Sequence, residues 1–242
     1  MRILEIVCVS VDDAVQAEEG GADRIELCAA IELGGLTPSI GMLLEIRDRC
    51  RLPVMAMLRP RTGGFCYTDL EFQNMRRDLD RFLELGVEGF VFGILTPDGQ
   101  LDGERCAQLV EQAAGAQTVC HRAFDVTPDP HAALEDVIGA GFTRLLTSGQ
   151  QPTAIEGAGL IKELVAQANG RIEILPGAGI RAENVRDFVT ATGVDQVHLT
   201  AFETILDPST AQTPLRFNAG GLPEAAYNST SAATVRTALD NV

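Results

Sequence analysis

Short apolar segments rich in β-branched residues alternate with amphipathic segments along the whole chain. The first, 3–9 (ILEIVCV), leads into a segment of helical character at 11–20 that stops at Gly20-Gly21. Further strand-like runs lie near 23–28, 53–59, 88–94, 117–122, 143–147, 171–175 and 195–199. Helical runs lie near 40–50, 69–85, 103–114, 130–140, 153–168, 182–191 and 230–240. Strands that each lead into a helix predict parallel βα units.

Two architectures are compatible with such units, a closed TIM (βα)8 barrel and an open doubly wound sheet. Polar residues follow nearly every strand rather than gathering at one switch point, which favours the barrel. We therefore predict one TIM-barrel domain over residues 1–242, an α/β fold. The stretch 203–229, rich in Pro and Gly, is predicted as an irregular late loop.

Composition narrows the classes of function. The formal charge of −15 argues against nucleic acid, whose binders need clustered Lys and Arg, and against anionic membrane surfaces. No apolar stretch has the length of a membrane span. The 6 cysteines follow no disulfide pattern and predict reduced thiols, hence a cytoplasmic protein.

The two-residue period of a strand predicts which side chains face the barrel interior. Glu5 and Glu26 should point inward from neighbouring strands, with Arg59 and His198 on the inward faces of two others. Buried carboxylates need a cationic partner, and Arg59 is the expected one. Such a cluster is either an acid–base or anion-binding site or a structural ion-pair network.

The segment 121–125 (HRAFD) places an imidazole, a guanidinium and a carboxylate at the end of the fifth strand. His121 is suited to proton transfer near neutral pH, Arg122 to anion binding, and Asp125 to acid–base chemistry. Alternatively, Asp125 caps the next turn and Arg122 forms a surface ion pair.

Small residues end the sixth and seventh strands, where barrels often bind phosphate through backbone N–H groups. We expect Ser148, Gly149, Gly177 and Gly179 to supply such donors, although tight turns required by the barrel would explain the same residues. Arg59, Arg61 and Arg122 would then hold the anion, with His198 among the substrate-binding residues.

The cysteines show no zinc spacing, because the chain contains no Cys-x-x-Cys. Cys28 is the best candidate for a soft metal, with Met55 and Met57 nearby, but buried Cys and Met are more often simply core.

Five segments resemble the CutC family: 23–28 (DRIELC), 34–39 (GGLTPS), 59–67 (RPRTGGFCY), 121–125 (HRAFD) and 146–150 (LTSGQ). The resemblance implies a cytoplasmic TIM barrel, often a homo-oligomer, that is associated with copper homeostasis. Family members typically carry a Cys two residues after the first-strand Glu, proposed to hold Cu(I) with a second-strand Cys. This chain has Val7 there, and Cys8 faces the opposite side of the strand.

Two functions follow as hypotheses. The resemblance implies a copper-homeostasis protein in which Cys28 binds Cu(I) weakly, with copper as the candidate cofactor. The residues themselves suggest an enzyme, a lyase, isomerase or hydrolase, acting on a small anionic substrate such as a sugar phosphate. In that enzyme Glu5, Glu26, His121 and Asp125 would be catalytic.

Overall fold

Eight parallel strands form a nearly closed barrel in the computed structural model, which describes residues 2–212, 214–215 and 222–242. Around the barrel the strands follow the order β7-β6-β5-β4-β3-β2-β1-β8. They are β1 Ile3–Cys8, β2 Arg24–Leu27, β3 Val54–Met57, β4 Gly89–Phe92, β5 Gln117–Cys120, β6 Arg144–Thr147, β7 Glu173–Pro176 and β8 Gln196–Leu199. The predicted TIM barrel is confirmed, with each strand at its predicted place.

Helices follow each barrel strand and pack on its outer side. They are α1 Val11–Gly20, α2 Ile40–Arg49, α3 Asp69–Glu84, α4 Gly103–Gln112, α5 Pro130–Gly139, α6 Ala158–Ala168, α7 Val185–Thr192 and α8 Ala232–Leu239. Side-chain caps fix where several begin, because they satisfy N–H groups that a helix leaves unpaired. Thr68 and Glu71, for example, form a reciprocal capping box at the start of α3.

The alternation of side chains divides the apolar residues between two cores. Outward-facing strand residues such as Ile6 and Leu27 pack against the helices. Inward-facing residues form a second, smaller cluster inside the barrel: Val7, Cys28, Met55, Met57, Val91, Val119, Leu146 and Leu175. The predicted inward faces of β1, β2 and β3 are thereby confirmed, and this apolar layer underlies the mouth of the barrel.

A polar layer closes the amino-terminal end of the barrel. Arg144 donates from Nε to Glu173 at 2.7 Å and from Nη2 to Gln117 at 2.9 Å. Gln196 joins this layer to the seam between β7 and β8, because its Nε2 donates to Glu173 Oε2 at 3.2 Å. The barrel is therefore filled from below, and a ligand would enter from the carboxyl-terminal end.

The prediction of an irregular stretch over 203–229 is wrong at both of its ends. Phe202–Leu206 (β9) and Ala226–Thr230 (β10) form an antiparallel two-stranded sheet, while residues 213 and 216–221 lie outside the described part of the chain. Buried Asp13 anchors this hairpin, since its carboxylate accepts from the N–H of Thr230 at 2.7 Å and of Val9 at 2.9 Å. The sequence predicts irregular structure here because Pro and Gly residues lie between the two strands.

Within the described residues, none of the helices combines the length and the apolar character needed to cross a membrane.

Gly89 tests the packing inside the barrel. A Cβ at this position would lie 2.6 Å from Met55 Sδ and 2.7 Å from the Gln117 carbonyl oxygen. We expect Gly89→Ala to lower the free energy of unfolding by about 1–3 kcal/mol through overpacking. The matched control is Gly159→Ala in α6, where a Cβ would meet nothing within 4 Å. This substitution should raise the free energy of unfolding by up to about 1 kcal/mol. Urea unfolding measures both, and a neutral Gly89→Ala would contradict the packing.

Candidate active site

A cavity of about 280 Å³ opens at the carboxyl-terminal end of the barrel. Its wall combines an apolar floor with a small number of polar groups, as ligand sites usually do. The lining residues are Val7, Glu26, Ile31, Gly34, Met57, Phe65, His121, Arg122, Leu146, Ala178, Gly179, Ile180, His198, Leu199 and Thr200. Five of the predicted site residues therefore line one cavity: Glu26, His121, Arg122, Gly179 and His198.

Two carboxylates flank His198 at the base of this cavity. Glu5 Oε1 lies 2.7 Å from His198 Nδ1, and Glu26 Oε2 lies 4.0 Å from His198 Nε2. All three side chains are almost completely buried. Register explains their convergence, because Glu5 is the partner of His198 on β8 and Glu26 is the partner of Val7 on β1. Of the four inward-facing residues predicted to share one cavity, Glu26 and His198 line it and Glu5 contacts His198, whereas Arg59 is not part of this cluster.

Arg24, not Arg59, neutralises the buried Glu5 carboxylate. Its Nε donates to Glu5 Oε2, and its Nη2 donates to Gln196 Oε1 at 2.6 Å. Arg24 is the direct partner of Glu5 in the parallel ladder, so their side chains leave the barrel wall side by side. Arg59 lies beyond the end of β3 and donates to loop carbonyls instead, so the predicted pairing is wrong.

The environments of the two carboxyl groups drive their pKa values apart. Burial alone would raise the pKa of Glu5, but Arg24 and His198 outweigh it and lower the value to about 2. Burial raises the pKa of Glu26 to about 7, although the positive charge of His198 works against the rise. Burial would lower the pKa of His198, yet Glu26 and Glu5 raise it above the usual value. An ionised Glu5 thus holds His198, and Glu26 can gain or lose a proton near neutrality.

His121 occupies the opposite wall as a neutral imidazole. Its Nδ1 accepts the backbone N–H of Ala123 at 3.2 Å, so the ring proton resides on Nε2. Burial and the charge of Arg59 lower the pKa of His121 to about 3. Phe65 packs against the ring with 4.9 Å between centroids, and a Cβ at Gly93 would lie 2.7 Å from Nδ1. A glycine at the end of β4 is therefore needed to seat this ring.

Asp125 ties the loops after β5 and β6 together. Its carboxylate accepts from Thr147 Oγ1 at 2.5 Å, from the N–H of Ser148 at 3.0 Å and from Arg122 Nε at 2.7 Å. Arg122 also donates from Nη2 to Ser148 Oγ at 2.8 Å. Asp125 does not line the cavity, and these contacts fit a positioning role better than the predicted catalytic one. The guanidinium of Arg122 is held over the rim by the same contacts.

The glycine-rich loops only partly match the predicted backbone donors. The amides of Ser148, Gly149 and Gly177 already donate to Asp125, to Thr147 Oγ1 and to the Thr147 carbonyl. For these residues the structure therefore fits the alternative of tight turns rather than that of anion binding. Gly149 is explained by packing, since its Cβ would lie 2.4 Å from the Gly157 carbonyl oxygen. Gly179 differs.

The loop after β7 brings two residues with positive φ angles to the cavity. Ala178 and Gly179 have φ angles of +80° and +73°, and both line the cavity. Among the described residues their amides find no hydrogen-bond acceptor. Successive amides in a tight turn form a concavity that suits an anion. The sequence pattern singled out the glycines of this loop, and Ala178 between them gave no signal of its own because Ala rarely adopts a positive φ.

Arg59 and Arg61 hold loops rather than face the cavity. Arg59 donates from Nη1 to the carbonyls of Leu33 and Gly35 at 3.0 and 2.9 Å, and from Nη2 to Gly63 at 2.9 Å. Arg61 pairs with Glu71 on α3 at 2.5 Å. The expectation that both arginines grip the ligand directly is wrong, since the loops after β2 and β3 offer them nearer acceptors.

Cys28 lies buried behind the cavity wall. A Cβ at Gly35 would be 3.5 Å from both Cys28 Sγ and the Met57 methyl, so the two sulfur side chains flank this loop. Burial raises the pKa of the Cys28 thiol far above its usual range, with Glu26 and Glu32 adding to the rise. A protonated thiol is a poor metal ligand. All six cysteines are free, and Cys8 faces the outer core.

For a metal ion that prefers oxygen and nitrogen ligands, the described residues offer only a partial set. Glu5, Glu26 and His198 offer ligand atoms within 4.8 Å of one another. Both oxygens of Glu5 are already bonded, to His198 Nδ1 and to Arg24. That leaves His198 Nε2 and Glu26 as two available ligands.

Glu26 provides a test of these protonation states. The folded protein binds the Glu26 proton more tightly than the unfolded chain, so stability is lost as the pH rises from about 4.5 through 7. We expect Glu26→Gln to raise the free energy of unfolding, measured by urea denaturation, by up to roughly 3 kcal/mol at pH 8. Near pH 4 the variant and wild type should be equally stable. Glu5→Gln is the control of opposite sign, since it removes a carboxylate that is stabilising above its low pKa. A Glu26→Gln variant that is less stable than wild type at pH 8 would contradict the raised pKa of Glu26.

Comparison with known proteins places the chain in a family. The family model described as "CutC family" matches residues 2–203. A CutC family protein of Treponema denticola is 48% identical over 219 residues, which are 90% of this chain and 89% of that protein. The human copper homeostasis protein cutC homolog is 44% identical over 202 residues, 84% of this chain and 74% of its own length.

A solved structure of a CutC protein from Streptococcus agalactiae superposes with a TM-score of 0.77 at 36% identity, covering 82% of this chain and 98% of its own. The family model spans all eight barrel strands and every residue of the cavity wall. The chain belongs to the CutC family.

Proposed function

We propose that the barrel mouth is the active site of an enzyme that transfers protons on a small anionic substrate. The observation that carries this proposal is the Glu5–His198–Glu26 cluster at the base of an open cavity. A buried carboxyl whose pKa stands near 7 is costly in a merely structural network, whereas a general acid–base catalyst needs that value. Glu26 is then the catalytic residue, and Glu5 positions His198 beside it.

Recognition of an anion is supported at the rim. The Arg122 guanidinium lies on one side of the cavity, and the unpaired amides of Ala178 and Gly179 lie in the loop after β7. A guanidinium and successive amides suit a phosphate or carboxylate group. The cavity of about 280 Å³ limits the substrate to a small molecule.

The single lysine of the chain restricts the reaction further. Lys162 is exposed on α6, on the outer side of the barrel. A Schiff base between lysine and a carbonyl substrate therefore cannot form at the mouth. Among lyase, isomerase and hydrolase reactions, those that need only positioned acids, bases and hydrogen-bond donors remain.

Thermal shift measurements test the anion site. We expect inorganic phosphate and small sugar phosphates to raise the melting temperature by several degrees, because they bind the folded state alone. Arg122→Ala should lose most of that shift. Arg61→Ala is the matched control, since its guanidinium pairs with Glu71 outside the cavity, and it should respond like wild type. Equal responses from the two variants, or none from wild type, would contradict the proposal.

Copper handling is the second candidate, favoured by the name of the human relative. In that role the protein would act in the cytoplasm, where its six free thiols stay reduced. Cys28, flanked by Met57, would be the Cu(I) ligand. Its raised pKa and the Val7 side chain on the inner face of β1 both favour weak binding.

A second thiol tests the copper site. Val7 is buried on the inner face of β1, in the same apolar cluster as Cys28. We expect Val7→Cys to tighten Cu(I) binding at least tenfold in competition against bicinchoninate, because two thiolates complete a linear site. Cys28→Ala in the Val7→Cys background should remove the gain. Tight stoichiometric binding by the unmodified protein would refute weak binding.

A further inference from the structure

Two buried polar atoms of the cavity wall have no hydrogen-bond partner among the described residues. One is His121 Nε2, and the other is Glu26 Oε1. Leaving a buried donor or acceptor unpaired costs about 1–3 kcal/mol, so such atoms call for an explanation. Both residues line the same cavity, which makes a bound molecule the simplest partner for both.

The two atoms differ in what they can bind. His121 Nδ1 accepts the Ala123 N–H, so Nε2 must carry the proton and can only donate. Glu26 Oε1 belongs to a carboxyl group that can accept a proton. A ligand that satisfies both needs an acceptor, such as a carbonyl oxygen, next to an acidic C–H or O–H group.

The surroundings of His121 are built to hold this donor in place. Phe65 covers the ring, and the Arg59 guanidinium lies 5.2 Å from the centroid of the same Phe65. Arg59 in turn is fixed by the Leu33, Gly35 and Gly63 carbonyls. Burial, together with the charge of Arg59, lowers the pKa of His121, and the Ala123 N–H bond to Nδ1 leaves Nε2–H as the donor.

We propose that the substrate is a small α-hydroxycarbonyl compound bearing an anionic group, enolised between Glu26 and His121. This inference rests on the proposed function and specifies the substrate class of the same site. The Glu26 carboxylate removes the proton on the carbon next to the carbonyl, and the C–H electron pair becomes the C=C bond. The carbonyl π electrons move to its oxygen, where His121 Nε2–H donates a hydrogen bond to the developing charge.

Return of the proton completes the reaction. The Glu26 carboxylic acid gives its proton to either carbon of the enediolate, so the outcome is exchange at the original carbon or aldose–ketose isomerisation. For isomerisation, the hydroxyl proton that the enediolate retains passes directly from its oxygen to the former carbonyl oxygen, so that the first oxygen becomes the new carbonyl. No oxidant, reductant or metal enters the balance. His121 acts as a hydrogen-bond donor throughout, because Nδ1 is committed to Ala123 and cannot supply a relay.

A pair of phosphates isolates the contribution of the carbonyl group. Phosphoglycolohydroxamate mimics the enediolate, whereas glycerol 3-phosphate has a similar size and the same phosphate but no carbonyl. We expect calorimetry to show at least tenfold tighter binding of the hydroxamate. His121→Phe keeps a ring against Phe65 without the donor and should reduce the preference to less than twofold, while His121→Gln, which retains an N–H donor, should restore part of it.

Deuterium exchange tests the base. In D2O the wild type should exchange the α-hydrogens of dihydroxyacetone phosphate, followed by proton NMR, and Glu26→Gln should slow this at least a hundredfold. Equal binding of the two phosphates, or exchange that survives Glu26→Gln, overturns the enolisation and leaves the anion site standing. Binding of neither phosphate overturns the anion site as well. Absence of exchange by wild type overturns the substrate class.

Discussion

The buried ion pair between Arg24 and Glu5 is the interaction on which the mouth of the barrel depends. Burying two charges costs several kcal/mol each, and the cost is recovered only where both are paired and hydrogen-bonded. Here Glu5 is bonded on one oxygen by Arg24 and on the other by His198, and Arg24 also reaches Gln196. The pair therefore fixes the protonation of Glu5 and, through it, the orientation of His198.

A second set of contacts holds the loops above that pair. Asp125 gathers the chain after β5 and β6, while Arg59 gathers the loops after β2 and β3. Each uses a charged side chain to bond backbone or hydroxyl groups that loops leave unpaired. Arg122 and Phe65 are thereby presented to the cavity from rigid supports. The polar residues at the strand ends thus divide into those that face the cavity and those that hold the cavity-facing residues in place.

Periodicity along the chain predicted the barrel and the inward faces of its strands, because the two-residue alternation of a strand is a local property. Glu5, Glu26 and His198 could therefore be placed together from the amino-acid sequence alone. Their cationic partner could not, because the choice between Arg24 and Arg59 depends on strand register. The role of Gly149 after β6, in packing rather than in anion binding, could not be predicted for a similar reason. Its contact with Gly157 joins backbone segments that only the folded loop brings together. The β9–β10 hairpin was missed because Pro and Gly between its strands dominate the local pattern.

The two histidines of the cavity show how environment rather than residue type assigns a role. His198 lies between two carboxyl groups, which raise its pKa and favour the imidazolium form. For His121, burial and the nearby charge of Arg59 together lower the pKa and favour the neutral ring. Glu26 is close enough to His198 to feel its charge, yet 4.0 Å is too far for a hydrogen bond that would hold it ionised. One cavity consequently contains an imidazole whose pKa is raised, a neutral imidazole that donates a hydrogen bond, and a carboxyl group that exchanges its proton near neutrality. Environments that push the pKa values of neighbouring groups apart are what separates acid, base and hydrogen-bond donor in catalytic sites.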